Sequence, residues 1–464
     1  IFEEHGYAEN GEIVVGEKRY KKIILNGNIN LRSATLTALK RFISDGGTVI
    51  LAGDEPEYLD GLRHDYSADL RGVIRVGFNP QKMFDLIKKS DYKTNNDNII
   101  AEKRWFAGGE AYFFLSRAES KTDAKIVIES DKKPAMIDLT DGSLTPIEFT
   151  RNGGTVEIKK TFERGESLAL YFCEQSPLYE EKKTYETASV PSVFEYELSE
   201  PNVLPLDSAK CYIDEEYFCE GYILTVDEKL RDKFSLPRRH GEMVQPWFKD
   251  KFYPAPKTVC RATLVFEFSV KNIPEDVYLT TEDTSVKISV NGIALAVKDI
   301  SDGFVDVCFK KIKLPVNLLK IGRNEIAVSF DFTDRYDIES VYLVGTFGVS
   351  ENDEITLMPK TLRAGDVCKQ GLKYYGGRIK YSAPFPNGNY KITLSELPAA
   401  IAYFNDSPVA FLPYETEFAV TNGTLTAETV FTRQNAFGTT VTDGKRDGLI
   451  PQGLPEILTI SKRV

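Results

Sequence analysis

The sequence predicts a multidomain, mainly β protein: a partial doubly wound α/β domain, a small antiparallel β-sandwich, then two larger β blocks. Three observations predict it. The chain has 464 residues, enough for about three domains at roughly 150 residues each. The apolar pattern alternates strand and helix in the first ninety or so residues and takes a period of two from about Asn98 onward. The aromatics are 28 Phe and 23 Tyr against 2 Trp, with only 4 Met, a bias that suits pleated strands better than helical bundles.

The elements follow in order. Lys21-Lys22-Ile23-Ile24-Leu25 reads as a buried strand ending at Asn26-Gly27. Ser33 is the expected N-cap of a helix with Leu36, Leu39, Phe42 and Ile43 on one face, and Gly46-Gly47 ends it. Thr48 to Leu51 and Val73 to Val76 are the next strands, and a helix opens at Pro80 with Met83, Phe84 and Ile87. From there, residues 111–115, 125–128, 135–139, 147–150, 155–159 and 167–172 alternate as short strands. Asp141-Gly142-Ser143 and Asn152-Gly153-Gly154 mark turns between them. A polar boundary runs from Gln175 to Ser192; Ser192 to Asp214 looks extended, Val226 to Phe234 helical, and Arg238 to Lys257 loop-like. Thr258 to Val349 and Gly371 to the end carry the turn spacing of sandwiches. The expected boundaries are 1–95, 96–180, 186–355 (with an extended N-terminal segment) and 356–464.

Charge and composition exclude several roles. Lys plus Arg number 58 and Asp plus Glu 69, giving −11, a poor balance for binding nucleic acid or an anionic membrane. No apolar run approaches the roughly 18 residues of a membrane span, so a soluble chain is expected. The six cysteines, Cys173, Cys211, Cys219, Cys260, Cys308 and Cys368, include no C-x-x-C pair; isolated buried thiols are expected and no metal site. The chain opens at Ile1 without a signal-peptide pattern and has its first methionine at Met83, so it reads as part of a longer or processed protein.

Chemistry-bearing motifs are few. The α/β segment has no G-x-G-x-x-G, no phosphate-binding loop and no Cys nucleophile, so no cofactor is expected. No G-x-S-x-G elbow accompanies His5, His64 or His240, and both His64 and His240 read as surface or loop residues. Acid pairs such as Asp337 with Glu339, or Asp214 with Glu215, are too common among 69 acids for any to be assigned a catalytic role. Trp105 and Trp247 are expected to pack in cores or between domains. Asn405-Asp406-Ser407 and Asn422-Gly423-Thr424 match a glycosylation acceptor pattern by chance.

The later β blocks carry a resemblance. Val286 to Gly292, a strand and an Asn-Gly turn, is followed by Leu319-Lys320-Ile321-Gly322-Arg323-Asn324-Glu325-Ile326 and by Ile338 to Phe347. Together these resemble galactose-binding-like jelly rolls of glycosidases. Glu200 to Asp207, Tyr374-Tyr375-Gly376-Gly377, Thr432 to Gly438 and Gly448 to Leu454 are similar to segments of large multidomain glycoside hydrolases, namely family 106 α-L-rhamnosidases and family 2-type enzymes. The chain departs from that pattern where Gly438 is followed by Thr439-Thr440 in place of proline, so no calcium or loop role is carried over.

The resemblance implies a flavodoxin-like or amidotransferase-like first domain without a nucleophile, and two jelly rolls at the end. It also implies a catalytic (β/α)₈ barrel upstream in the same polypeptide, which leaves no catalytic residue in this chain. The jelly rolls would then contact a glycan substrate or buttress the barrel, with the loop aromatics Trp247, Tyr253 and Tyr336 as candidate carbohydrate-binding residues. The alternatives are an autonomous carbohydrate-binding module and a structural or adhesive β protein.

Overall fold

A computed structural model describes residues 5–87, 92–106, 108–174, 183–239, 244–297, 300–304, 308–439, 441–442, 445–446 and 448–464. The chain is mainly β and divides into two compact units: residues 1–95 with 125–131 and 149–159, and the remainder.

In the first unit, strands Lys22–Asn26, Thr48–Ala52 and Ile74–Arg75 form the expected parallel sheet, in that order. Helix α1, Ser33–Ser44, buries Leu36, Leu39 and Phe42. The cap differs from expectation. Ser33 is the first helical residue and makes no capping bond; its backbone N–H donates to Asp60 Oδ1 at 3.1 Å, a cap supplied from 27 residues away. Gly46, at φ 91°, ends the helix, and a Cβ on Gly47 would strike the Phe42 ring at 2.2 Å. Helix α2, Pro80–Ile87, forms as expected but buries none of its residues. A meander of Gly6–Glu9, Glu12–Val15 and Lys18–Tyr20, absent from the sequence reading, precedes the parallel sheet.

Two antiparallel sheets follow. One orders Tyr92–Thr94, Thr122–Glu129, Thr155–Phe162 and Thr150–Asn152; the other orders Ile99–Phe106, Gly109–Ser116, Ser167–Cys173, Lys133–Ile137 and Leu144–Pro146. Asn152 faces Thr155 across a two-residue hairpin whose Gly153 sits at φ 58°, the left-handed backbone such turns require.

The rest of the second unit holds two sandwiches, each with its own core. In the first, a five-stranded sheet (Asn202–Leu206, Val341–Gly345, Tyr278–Thr281, Lys310–Lys313, Ile300–Asp302) faces a larger sheet built on Cys260–Val270 and Gly322–Phe332. Those two strands pair over eleven residues, from Cys260 opposite Phe332 to Val270 opposite Gly322. Alternate residues Ala262, Leu264, Phe266 and Phe268 point into a core shared with Val328, Leu343 and Ile312, as a half-buried strand demands. The second sandwich closes over Tyr381, Ile392, Phe404, Phe418 and Ile460. Strands Tyr185–Ala188 and Glu195–Leu198, read in the sequence as the entry to the preceding block, pair with Leu458–Arg463 and Arg378–Pro384 of this last sandwich. Helix α3, Ile223–Lys233, falls where expected, whereas α4, Pro246–Phe252, stands in a segment read as loop.

Several of the segments that carried the resemblance, those around Glu200, Phe347, Arg433 and Ile450, meet at the junction of the two sandwiches. Glu200 pairs with Arg433 through both guanidinium nitrogens. Buried Asn202 donates to the carbonyls of Phe347 and Gly371 at 2.9 and 3.1 Å. Asn435, fully buried, donates to Ile450 O at 2.8 Å and accepts from Ile450 N at 3.1 Å. These residues satisfy buried backbone groups where two separately cored sandwiches join.

Candidate functional site

At the end of strand Gly322–Phe332 the chain turns through Thr333-Asp334-Arg335-Tyr336-Asp337-Ile338-Glu339-Ser340 before re-entering the core at Val341. Apart from Tyr336 and Ile338 this stretch is charged or polar, and its shape is fixed by cations from elsewhere. Arg231 of α3 is fully buried, with its Nε on Asp227 Oδ2 at 2.8 Å, one turn earlier in the same helix. Its other nitrogens donate to the carbonyls of Tyr336 at 2.7 Å and Asp334 at 3.4 Å. Arg239 donates to Ile338 O at 2.8 Å, pairs with Glu339, and approaches Asp337 Oδ1 at 3.4 Å. Lys249 and Asp250 of α4 pair with Asp334 at 2.6 Å and Arg335 at 2.7 Å. The loop is held before any ligand arrives, the condition for binding without a large ordering cost.

This loop forms one wall of a cavity of about 380 Å³. Leu264, Phe266 and Val328 make its apolar floor, and Glu282, Asp283, Arg335, Tyr336, Asp337 and Glu339 its polar rim. Tyr336 stacks on Phe330 with centroids 4.2 Å apart and planes 4° from parallel. Its hydroxyl donates to Asp283 Oδ2 at 3.0 Å. Burial pushes the Tyr336 phenol well above its ordinary range and the Asp283 charge adds to that, so the hydroxyl stays a donor. Asp283 Oδ1 in turn accepts from Ser285 N at 2.8 Å and Ser285 Oγ at 2.6 Å. On the far side of Asp283, Phe330 and Tyr336 a second depression of about 350 Å³ is lined by Arg261, Ser285, Lys287 and Asp331. An apolar floor with a few fixed polar groups is the general form of a small-ligand site.

The sequence-derived candidates separate. Tyr336 lines the cavity. Trp247 and Tyr253, at the two ends of α4, are 68% and 52% exposed and are not among the cavity's described lining. They share an aromatic cluster with Phe248 and Phe252, Phe248 and Phe252 lying 4.6 Å apart, and α4 reaches the same loop through the ion pairs of Lys249 and Asp250. The expectation that both tryptophans pack is overturned. Trp105 is 72% exposed on strand Ile99–Phe106, with Lys103 Nζ 4.6 Å from its ring. His64 is half-buried with its Nε2 2.7 Å from Asp69 Oδ2, so the solvated-surface reading gives way to a hydrogen-bond contact. His240 lies outside the described residues.

Asp283, Phe330 and Arg335 are site residues that sequence reasoning missed. The only sequence signal was the alternation of charge and aromatic side chains from Asp331 to Glu339 between two apolar strands. Among the described residues no group of three or more His, Cys, Asp or Glu is arranged to hold a metal ion. The two glycosylation-like triplets are turn chemistry: Asn405 and Asp406 sit at φ 44° and 68°, and Asn405 Oδ1 accepts from Thr426 N at 3.0 Å.

No family model matches the chain, and no curated protein matches it. Among solved structures, a rhamnosidase from Novosphingobium sp. PP1Y is similar at TM-score 0.32 and 14% identity, covering 72% of this chain and 31% of that one. An apo exo-carrageenase GH42 from Bacteroides ovatus is similar at TM-score 0.24 and 12% identity, covering 33% and 22%. A Streptomyces avermitilis α-L-rhamnosidase complexed with L-rhamnose is similar at TM-score 0.16 and 10% identity, covering 77% and 32%. The chain thus spans less than a third of the length of the rhamnosidase from Novosphingobium, and likenesses at these scores assign it no activity.

Proposed function

We propose that this chain is a non-catalytic, glycan-contacting region of a larger carbohydrate-active enzyme of the glycoside hydrolase kind, with its catalytic barrel elsewhere in the polypeptide. The observation that carries the reading is the cavity beside Tyr336. It offers an aromatic ring backed by Phe330, an apolar floor, and carboxylates and a guanidinium around the rim. A pyranose has the matching form, with apolar C–H faces and a girdle of hydroxyls that donate and accept. Non-catalytic status is supported by how the rim acids are used. Asp337 and Glu339 are both engaged by Arg239, Asp283 by Tyr336 and Ser285, so these carboxylates are committed to holding the walls.

Affinity electrophoresis of the full chain in gels containing neutral plant and bacterial polysaccharides tests the reading. Retardation by at least one polysaccharide, abolished by Tyr336→Ala, is expected; an unretarded wild-type chain across the panel rejects it. A second reading has its own observation. The exposed rings of Trp247, Phe252 and Tyr253 on one short helix form a platform on which a glycan could stack outside the cavity. Retardation lost in Trp247→Ala and kept in Tyr336→Ala favours that platform.

A further inference from the structure

We infer that the cavity beside Tyr336 selects uncharged glycan and rejects chains bearing carboxylate or sulfate; the inference rests on the glycan reading above and adds the class of ligand. Glu282, Asp283, Asp337 and Glu339 stand on the rim against one lining cation, Arg335. Two of its three nitrogens are already engaged: the terminal ones donate to Asp250 at 2.7 Å and to the carbonyl of Pro254. Arg239, behind Asp337 and Glu339, is likewise committed to those two carboxylates. An anionic sugar entering here meets like charge, and the described lining of this cavity holds no cation besides Arg335 to offset it.

Hydrogen-bond inventory leads to the same class. Carboxylates only accept, so a ligand facing this rim must donate. Sugar hydroxyls donate; ionised carboxylates and sulfates cannot. A second, independent mark lies in the wall itself. Arg335 has a side chain 9% exposed, and its Nε lacks a hydrogen-bond partner among the described residues. Buried polar atoms are rarely left unmatched, and the oxygen of a sugar hydroxyl can accept from this N–H.

A glycan array probed with the full chain, followed by titration calorimetry of the strongest hits and their uronate or sulfated counterparts at 50 and 500 mM salt, tests this. The expected result is neutral hits at least tenfold tighter than the matched anionic chains at low salt, with the gap narrowing at high salt as repulsion is screened. Glu282→Gln then raises affinity for the anionic chains severalfold relative to the neutral ones. Anionic ligands bound as tightly as neutral ones, with binding lost in Tyr336→Ala, overturn the charge selection and leave the glycan reading standing. No hits of either class, or hits indifferent to Tyr336→Ala, overturn the inference together with the cavity reading.

Discussion

Asn291 Nδ2 donates to Asn324 Oδ1 at 2.9 Å, tying the Asn-Gly hairpin to the Gly322 turn that opens the long strand of the first sandwich. Each asparagine is placed by backbone. Asn291 holds φ 50° beside Gly292 at φ 80°, and its Oδ1 accepts from Glu325 N at 3.0 Å. Asn324 is fully buried, accepting from Lys320 N and donating to the carbonyls of Lys320 and Gly322 at 2.7–2.9 Å. Two segments that looked like separate turn signals form one buried network.

Asn324→Ala therefore strands several buried groups at once. At roughly 1 kcal/mol net per bond, with a larger penalty for any group left dry, the loss is about 3 kcal/mol. The urea midpoint of the first sandwich, followed by hydrogen exchange of strand Gly322–Phe332, measures it. A change of midpoint within error contradicts the network's structural role.

Arg231 and Asp227 make a sharper test of the loop's anchor. Burial raises the Asp227 carboxyl above its ordinary value, opposed by the Arg231 guanidinium beside it. Arg231→Met leaves that acid buried without its cation and frees the Asp334–Tyr336 carbonyls, at a cost of about 3–5 kcal/mol. The double variant Asp227→Leu/Arg231→Met removes the stranded charge and regains part of that loss. A double variant no more stable than the single one shows that the carbonyl contacts, and not the charge pair, carry the anchor.

The thiols predict a pH dependence. Burial pushes Cys211 up to about 12 and Cys260 to about 11, and burial with the Asp366 charge pushes Cys368 to about 12. The native state thus holds these protons more tightly than the unfolded chain. Their contribution to stability is complete below the ordinary thiol value and is lost as pH rises from there through about 11–12. Urea midpoints should fall across that alkaline window, and less steeply in a Cys211→Ala/Cys260→Ala/Cys368→Ala variant. Ellman's reagent at pH 8 should find exposed Cys308 promptly, half-buried Cys173 more slowly, and Cys211, Cys219, Cys260 and Cys368 only after unfolding.

What the sequence made legible was local. Hairpins at Asn152-Gly153 and Asn291-Gly292 follow from residues that tolerate a positive φ, and α1 from an unbroken apolar stripe. The N-cap failed because the acceptor is Asp60, a tertiary contact that no local pattern encodes. Helix α4 went unread for the same reason. It is seven residues long, and its ion pairs to Asp334 and Arg335 come from 85 residues away. The meander Gly6–Tyr20 was obscured by its charged third strand, Lys18-Arg19-Tyr20, which is exposed throughout. Of the candidate site, Tyr336 was singled out and its setting was not. The cavity gathers residues 264–266, 281–283 and 328–341, whose adjacency exists only once the two long strands have paired.

The central claim is that the chain holds glycan without cleaving it. Its most direct measurement is a reducing-end assay on whichever polysaccharide retards the chain, run alongside the binding titration. The account predicts saturable binding, lost in Tyr336→Ala, with no new reducing ends over prolonged incubation. Release of reducing sugar that disappears in Asp337→Asn or Glu339→Gln would contradict it, and would place the chemistry in the cavity itself.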